Sequence, residues 1–78
     1  MDAGKTGAYL AALRKARGMT QQEAADQLGV SNKTVSKWEN GAGLPDITVL
    51  PALAELYGVT ADDILAGETL RGRPAEAQ

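Results

Sequence analysis

Apolar residues recur along most of this chain at the three- and four-residue spacing of amphipathic helices. In the first such segment, Tyr9, Leu10 and Leu13 form one apolar stripe. The best candidate for a strand, residues 47–50, stops at Pro51 and runs into an Ala- and Leu-rich segment. The pattern therefore predicts an all-α fold. Five helices are expected, at residues 6–16, 21–28, 32–40, within 47–57, and 61–65.

Polar residues at the predicted helix starts and glycines at the predicted ends support these boundaries. Thr20 and Glu23 have the spacing of a capping box, in which each side chain bonds the backbone of the other. Pro51 leaves two alternatives for the fourth helix, because it lacks a backbone donor. Either a turn precedes a helix that begins near Pro51, or one helix accommodates the proline near its start. Further N-cap candidates are Ser31, Asp46 and Thr60, and the terminating glycines are Gly18, Gly29, Gly41 and Gly58.

The chain has 78 residues and contains neither cysteine nor histidine. A length of this order predicts one domain, which we place at residues 1–66 with a tail or linker at 67–78. Without Cys or His there is no disulfide framework, no zinc site of the usual ligands and no imidazole base. We therefore expect no metal, no cofactor and no enzymatic activity. No apolar run approaches the length of a membrane span, so membrane contact is not expected from this segment. The absence of cysteine fits a reducing compartment, and we expect a cytoplasmic location, associated with a bacterial or phage nucleoid.

Charge is distributed unevenly along the chain, although the net charge is only −2. Residues 1–43 carry six basic and four acidic side chains, whereas residues 44–78 carry two basic and six acidic ones. A domain polarised in this way can present one positive face despite its overall acidity. The acidity should weaken non-specific attraction to nucleic acid, since that attraction depends on phosphate neutralisation.

The connection between the second and third helices is short and contains a glycine. Two helices joined by three or four residues of this kind cross steeply. Gly29 is expected to have positive φ, and Ala25 is small where the third helix would pass over the second. The apolar residues placed to hold the two helices together are Leu28, Val30, Val35 and Trp38.

The third helix separates into an apolar and a polar side when projected at about 100° per residue. Val35 and Trp38 point one way, and Glu39 lies at the edge of the opposite arc. Such a polar arc suits base edges and phosphates, although a solvated helix face is the ordinary alternative. The capped helix and tight turn before it favour DNA binding. The polar arc consists of Asn32, Lys33, Ser36, Lys37 and Asn40.

The segment GMTQQEAADQLGVSNKTVSKWENG, residues 18–41, resembles the Cro/phage-repressor-type helix-turn-helix family of transcriptional regulators. The resemblance continues through YLAALRKARG before it and LPDITVLPALAELYGVTADDIL after it, over roughly residues 5–68. It implies a compact, lambda-repressor-like bundle of five helices that docks its helix-turn-helix on double-stranded DNA. It also implies binding as a two-fold dimer.

Residue by residue, the resemblance implies base contacts for Asn32, Lys33 and Lys37, with Ser36 as a possible fourth. Gln21 matches a position that contacts phosphate and supports the first recognition residue, and Asn40 matches another phosphate position. Arg17 is a further phosphate candidate, with a plain solvated charge as its alternative. Arg14 and Glu39 match an ion pair between helix 1 and the end of helix 3. Structural roles are expected for Ala25, Gly29, Val35 and Trp38, with DNA intercalation the less favoured reading of Trp38.

Two function classes remain open at this stage. The first is a sequence-specific regulator that occupies an operator as a homodimer, with contacts from helix 5 and Ile64, Leu65 and Leu70. The second is a protein-binding module, such as an antitoxin or the partner of an effector domain. A Ser–Lys nucleophile such as Ser36 with Lys33 would lie on an open surface, which disfavours catalysis.

Overall fold

The computed structural model describes residues 2–70, and within them the chain forms five helices and no strand. The elements are α1 (Ala3–Ala16), α2 (Gln21–Leu28), α3 (Asn32–Glu39), α4 (Leu50–Tyr57) and α5 (Ala61–Ala66). The expected all-α bundle is therefore confirmed. The core lies where the five helices meet, and it consists of Leu10, Ala25, Val35, Trp38, Leu50, Leu53, Tyr57 and Ile64.

Local capping explains most of the helix starts. The Thr20 hydroxyl accepts from the Glu23 backbone N–H at 3.0 Å, and the Glu23 carboxylate accepts from the Thr20 N–H at 2.8 Å. Thr60 and Asp63 make the same reciprocal pair at the start of α5. Each pair satisfies two backbone donors that the first turn of a helix leaves without partners.

Three boundary predictions need correction. α1 begins at Ala3 rather than Thr6, because the Asp2 carboxylate caps it by accepting from the Lys5 N–H at 3.0 Å. α3 ends at Glu39, with Asn40 as its C-cap, and α5 extends one residue further than expected, to Ala66.

The fourth helix is preceded by a turn, which is the first of the two arrangements that Pro51 allowed. α4 begins at Leu50 with Pro51 in its first turn, where a missing N–H costs nothing, and a turn at 47–49 precedes it. Asp46 is not the N-cap of α4, so that prediction was wrong. Its carboxylate instead accepts from the Thr48 N–H at 3.2 Å and so stabilises the preceding turn.

α1 contacts both α3 and α5, which lie far from it in sequence. The buried Thr6 hydroxyl donates to the Ile64 carbonyl oxygen at 2.9 Å, and Gly7 packs against the backbone at the end of α3. The orientation of α3 is therefore set by α1 as well as by α2.

The residues directly after α5 lie against α1. The Lys5 ammonium pairs with Glu68 at 3.7 Å, the Tyr9 and Thr69 hydroxyls are hydrogen-bonded at 3.0 Å, and the Leu70 N–H donates to Asp63. The rest of the expected tail, residues 71–78, lies outside the described residues. Ile64 is completely buried, so the expectation that it forms a dimer contact was wrong.

Candidate nucleic-acid interface

A tight turn connects α2 to α3. Gly29 has φ +72°, a conformation that disfavours residues with a Cβ, and the Val30 N–H closes the turn by donating to the Ala25 carbonyl at 3.0 Å. Ser31 then caps α3 by accepting from the Thr34 N–H at 3.1 Å. Because Ala25 is fully buried and small, the two helices approach closely.

The inward side of α3 is apolar and buried. Val35 is 2% exposed and Trp38 is 6% exposed, and both belong to the core cluster. Trp38 is therefore a core side chain rather than one held out for insertion between bases. Burial on this side leaves the other side of the helix facing outward.

The outward side of α3 carries polar side chains, and we call it the recognition face: Asn32, Lys33, Ser36, Lys37 and Asn40. Of these, Ser36 is half-buried and the other four are exposed. Most of the face borders an open depression of about 460 Å³, which no carboxylate lines. The depression is lined by Lys33, Thr34, Ser36, Lys37, Asn40 and Ala42.

Two side chains of the recognition face are bonded to each other. The Asn40 amide donates to the Ser36 hydroxyl oxygen at 3.3 Å. This bond does not use the Ser36 hydroxyl proton or the oxygen of the Asn40 side-chain amide, so both can bond other partners. The pair can therefore present both a donor and an acceptor to a ligand.

Behind the recognition face, a charged network joins α1, α2 and α3. The Arg14 guanidinium binds the Glu39 carboxylate in a bidentate manner, at 2.8 and 3.0 Å, and donates to the Met19 carbonyl oxygen at 2.8 Å. The Gln21 amide donates to Glu39 at 3.0 Å. Glu39, expected at the edge of the polar arc, has its side chain only 5% exposed and directed toward Arg14.

The ionised form of Glu39 is stabilised within this network. Burial by itself would raise the pKa of the Glu39 carboxyl, but hydrogen bonds from Arg14 and Gln21, with the Arg14 charge, hold it below its usual value. The same hydrogen bonding raises the pKa of Arg14 against the opposing effect of burial. Both groups therefore remain charged together in the folded protein.

Acid should destabilise the protein partly through Glu39. A carboxyl whose pKa is lower when folded contributes stability that is present above its unfolded value, near pH 4.5, and is lost as the pH falls through the folded value. We expect the free energy of unfolding of Glu39→Gln to fall less steeply below about pH 4.5 than that of the wild type. Urea unfolding at stepped pH measures both slopes. Glu55→Gln, exposed on α4, is the matched control and should follow the wild type; identical slopes for all three proteins would contradict the assignment.

The two remaining phosphate candidates lie elsewhere on the surface. Gln21 bonds the C-terminal end of α3 through Glu39, rather than the first recognition residue at its N-terminal end. The Arg17 guanidinium lies beside Gly58, the C-cap of α4, with Nη2 2.6 Å from the position of a Cβ there. Phosphate contacts by either residue stay predictions.

Sequence reasoning missed Gly7, which controls how closely α1 approaches α3. A Cβ at this position would collide with the Trp38 carbonyl oxygen and lie 3.0 Å from that of Glu39. One signal was available, because glycine inside a helix costs about 1 kcal/mol relative to alanine and so usually has a packing reason.

The fold and its polar helix face define a helix-turn-helix domain, in which a tight turn joins α2 to a third helix whose polar side faces outward. The profile of the family described as helix-turn-helix matches residues 10–64, most of the chain. This protein belongs to that family of Cro/phage-repressor-type transcriptional regulators.

Several known regulators are similar to this chain. The chain is 41% identical over 58 residues to the transcriptional activator BcrR of Enterococcus faecalis, covering 74% of this chain and 28% of BcrR. It is 36% identical over 55 residues to the transcriptional repressor RstR of a cryptic phage of Vibrio cholerae, covering 70% and 49%. The crystal structure of the clp gene regulator ClgR from C. glutamicum superposes with a TM-score of 0.73 at 25% identity, covering 86% of this chain and 87% of that one.

The chain thus spans about a quarter of the activator's length and about half of the repressor's. The family and these relatives are transcriptional regulators, not enzymes. Among residues 2–70, no helix combines the length and the apolar character needed to cross a membrane.

Proposed function

We propose that this domain binds double-stranded DNA sequence-specifically, with α3 in the major groove, and so regulates transcription by occupying an operator. The observation that carries the proposal is the division of α3 into two sides. Val35 and Trp38 secure one side in the core, while the other presents amides, a hydroxyl and two ammonium groups without a carboxylate. A helix held in this way suits the width of the major groove.

The side chains of the recognition face have complementary roles in this proposal. Asn32 can pair with adenine, whereas Lys33 and Lys37 can donate to the acceptors of guanine. Ser36 can bond several bases, and its partner Asn40 is placed at the end of α3 for a phosphate. The positive N-terminal ends of α2 and α3 favour neighbouring phosphates as well.

Two copies of the domain are expected to bind one DNA site together. A single net-acidic domain with few cations gains little from phosphate neutralisation, so a second recognition helix would supply the missing affinity. Two-fold pairing would place half-sites about 34–36 Å apart on a palindrome. Leu65 on α5 is 41% exposed and remains the best candidate for the contact, and Leu44 and Ile47 add exposed apolar surface.

Selection of bound duplexes from a random pool tests the proposal. An enriched sequence with two inverted half-sites, bound more weakly as salt is raised, is the expected result. Sedimentation of the free and DNA-bound protein measures the number of copies. Failure to enrich any duplex, combined with isolation of a stoichiometric protein partner, would instead favour a protein-binding role.

Lys37→Ala should relax base preference at one position of each half-site. We expect the affinity for the selected sequence to fall by about 1–3 kcal/mol, while binding to sequences altered at that position changes little. Titrations against the selected duplex and its single-base variants provide the measurement. Lys15→Ala, which removes an exposed charge on α1, is the matched control; equal loss on every sequence after Lys37→Ala would exclude base reading.

A further inference from the structure

The third helix ends at the dipeptide Asn40–Gly41, which is chemically reactive when the chain is flexible. The Gly41 backbone nitrogen can attack Cγ of the Asn40 amide, which forms a five-membered succinimide ring and releases ammonia that carries away the proton of the attacking nitrogen. Water then opens the ring at either carbonyl, so aspartate or isoaspartate replaces asparagine. Glycine favours the attack because it adds no side chain beside the nitrogen. The other asparagine, Asn32, precedes Lys33 and lacks this advantage.

The folded backbone holds Asn40 and Gly41 in a geometry that prevents ring closure. Closure requires the Gly41 nitrogen to eclipse the Asn40 Cβ about the Cα–C bond, because the ring atoms become nearly coplanar. With Asn40 at ψ −1°, the Gly41 nitrogen instead eclipses the Asn40 backbone nitrogen. The Asn40 amide is also bonded to Ser36, one turn earlier, at 3.3 Å. The reacting atoms are therefore kept apart.

Hydrogen bonds and packing hold the attacking nitrogen as well. The Gly41 N–H donates to the Trp38 carbonyl oxygen at 3.1 Å, and the Ala42 N–H donates to that of Lys37 at 3.0 Å. With Gly41 at φ +75°, these bonds form a Schellman motif. A Cβ on Gly41 would lie 3.1 Å from the Gly4 Cα, so the backbone of α1 packs closely against this turn. Rotation into the ring geometry therefore requires the end of α3 to open.

A carboxylate at position 40 would alter the recognition face. The depression beside this face has no carboxylate in its lining. The new charge would lie at the negative C-terminal end of α3, and it would repel the phosphate that Asn40 is proposed to contact. It would also lack the N–H donors of the amide. Each change weakens DNA binding.

We propose that Asn40 is a deamidation site which the folded end of α3 protects, and that opening of this end converts the recognition face irreversibly to a form that binds DNA weakly. The modification itself is independent of the proposed function, whereas its effect on binding rests on that function. The rate in the folded protein is the rate in the unfolded chain multiplied by the fraction of molecules whose α3 end is open.

Peptide mass spectrometry of aged protein tests the site. Wild-type protein is incubated at mildly alkaline pH, either folded in buffer or unfolded in guanidinium chloride, and the mass gain of deamidation is located. In the unfolded chain, Asn40 should react much faster than Asn32. In the folded protein, Asn40 should react at least about tenfold more slowly than in the unfolded chain. Equal rates in the two states, or no reaction of unfolded Asn40, overturn the proposal.

Two variants of α1 test whether the turn after α3 is the protecting element. Gly7→Ala places a methyl group against the Trp38 carbonyl oxygen that accepts from Gly41, so this variant should deamidate severalfold faster than the wild type when folded. Gly4→Ala, whose Cβ meets only the Asp2 carboxylate oxygen, is the matched control and should react no faster than the wild type. All three proteins should react equally in guanidinium chloride. A folded Gly7→Ala protein that reacts at the wild-type rate contradicts protection by this turn.

Titration of the selected duplex tests the effect on binding. Asn40→Asp should bind about tenfold more weakly than the wild type, with the same loss on every single-base variant, because a phosphate contact carries no sequence information. Deamidated wild-type protein, separated by ion exchange, should show a similar loss. Undiminished binding by both proteins overturns the inactivation. If the wild type enriches no duplex, the proposed function fails, while the mass measurements still decide whether the folded end of α3 protects Asn40.

Discussion

Replacement of Arg14 by alanine should destabilise the protein more than any other substitution considered for this chain. It would leave the Glu39 carboxylate, 5% exposed, without its bidentate partner, and would remove the donor to the Met19 carbonyl. Removing one member of a buried ion pair costs about 3–5 kcal/mol. A chain of this length has a total stability of roughly 4–12 kcal/mol, so much of it would be lost. Chemical unfolding followed by circular dichroism measures the change.

Two further variants separate the buried charge from a general effect of losing a cation. Arg14→Met combined with Glu39→Met removes both charges and should be less destabilising than Arg14→Ala, because no unpaired carboxylate remains. Arg17→Ala, at an exposed position in the next turn, should change stability by no more than about 0.5 kcal/mol. Equal losses for Arg14→Ala and Arg17→Ala would show that the network contributes little.

Gly7→Ala should lower the free energy of unfolding although alanine is the better helix former. The added methyl group would collide with the Trp38 carbonyl oxygen, and backbone cannot move aside as a flexible side chain can. Forcing a methyl group into a packed contact costs about 1–3 kcal/mol. Because the collision lies at the end of α3, affinity for the selected duplex should fall as well. Thermal unfolding and DNA titration measure the two effects.

Gly4→Ala provides the matched control for Gly7→Ala on the same helix. A Cβ at Gly4 meets only the Asp2 carboxylate oxygen, at 3.4 Å, which is ordinary van der Waals contact. This variant should therefore gain about 0.5–1 kcal/mol from helix propensity and keep its DNA affinity. If both variants became more stable, the close approach of α1 to α3 at Gly7 would be refuted.

Much of the fold could be predicted because its signals are local. The capping box of Thr20 and Glu23, the cap at Ser31 and the positive φ of Gly29 each depend on residues within a few positions. The division of α3 followed from periodicity alone, since Val35 and Trp38 are one turn apart. The resemblance to a known family contributed the pairing of Arg14 with Glu39, which no spacing along the chain indicates.

The features that sequence reasoning missed depend on distant contacts or on competing local chemistry. Gly7 matters only because α3 passes over it, and Ile64 was assigned to the surface because one short helix offers no periodicity to show its buried side. Asp46 has the residue type of an N-cap, but Pro51 fixes the helix start four residues later. Asp2 was overlooked because the apolar pattern of α1 begins after its first turn.

The separation of α3 into a core side and an exposed side has a consequence for how such regulators diversify. Asn32, Lys33 and Lys37 are exposed, so other side chains can replace them without creating a cavity. Val35 and Trp38 keep the helix angle constant through such changes. Under the proposed function, target choice and folding stability can therefore vary almost independently, and one scaffold can acquire new operators by a few substitutions on a single helix.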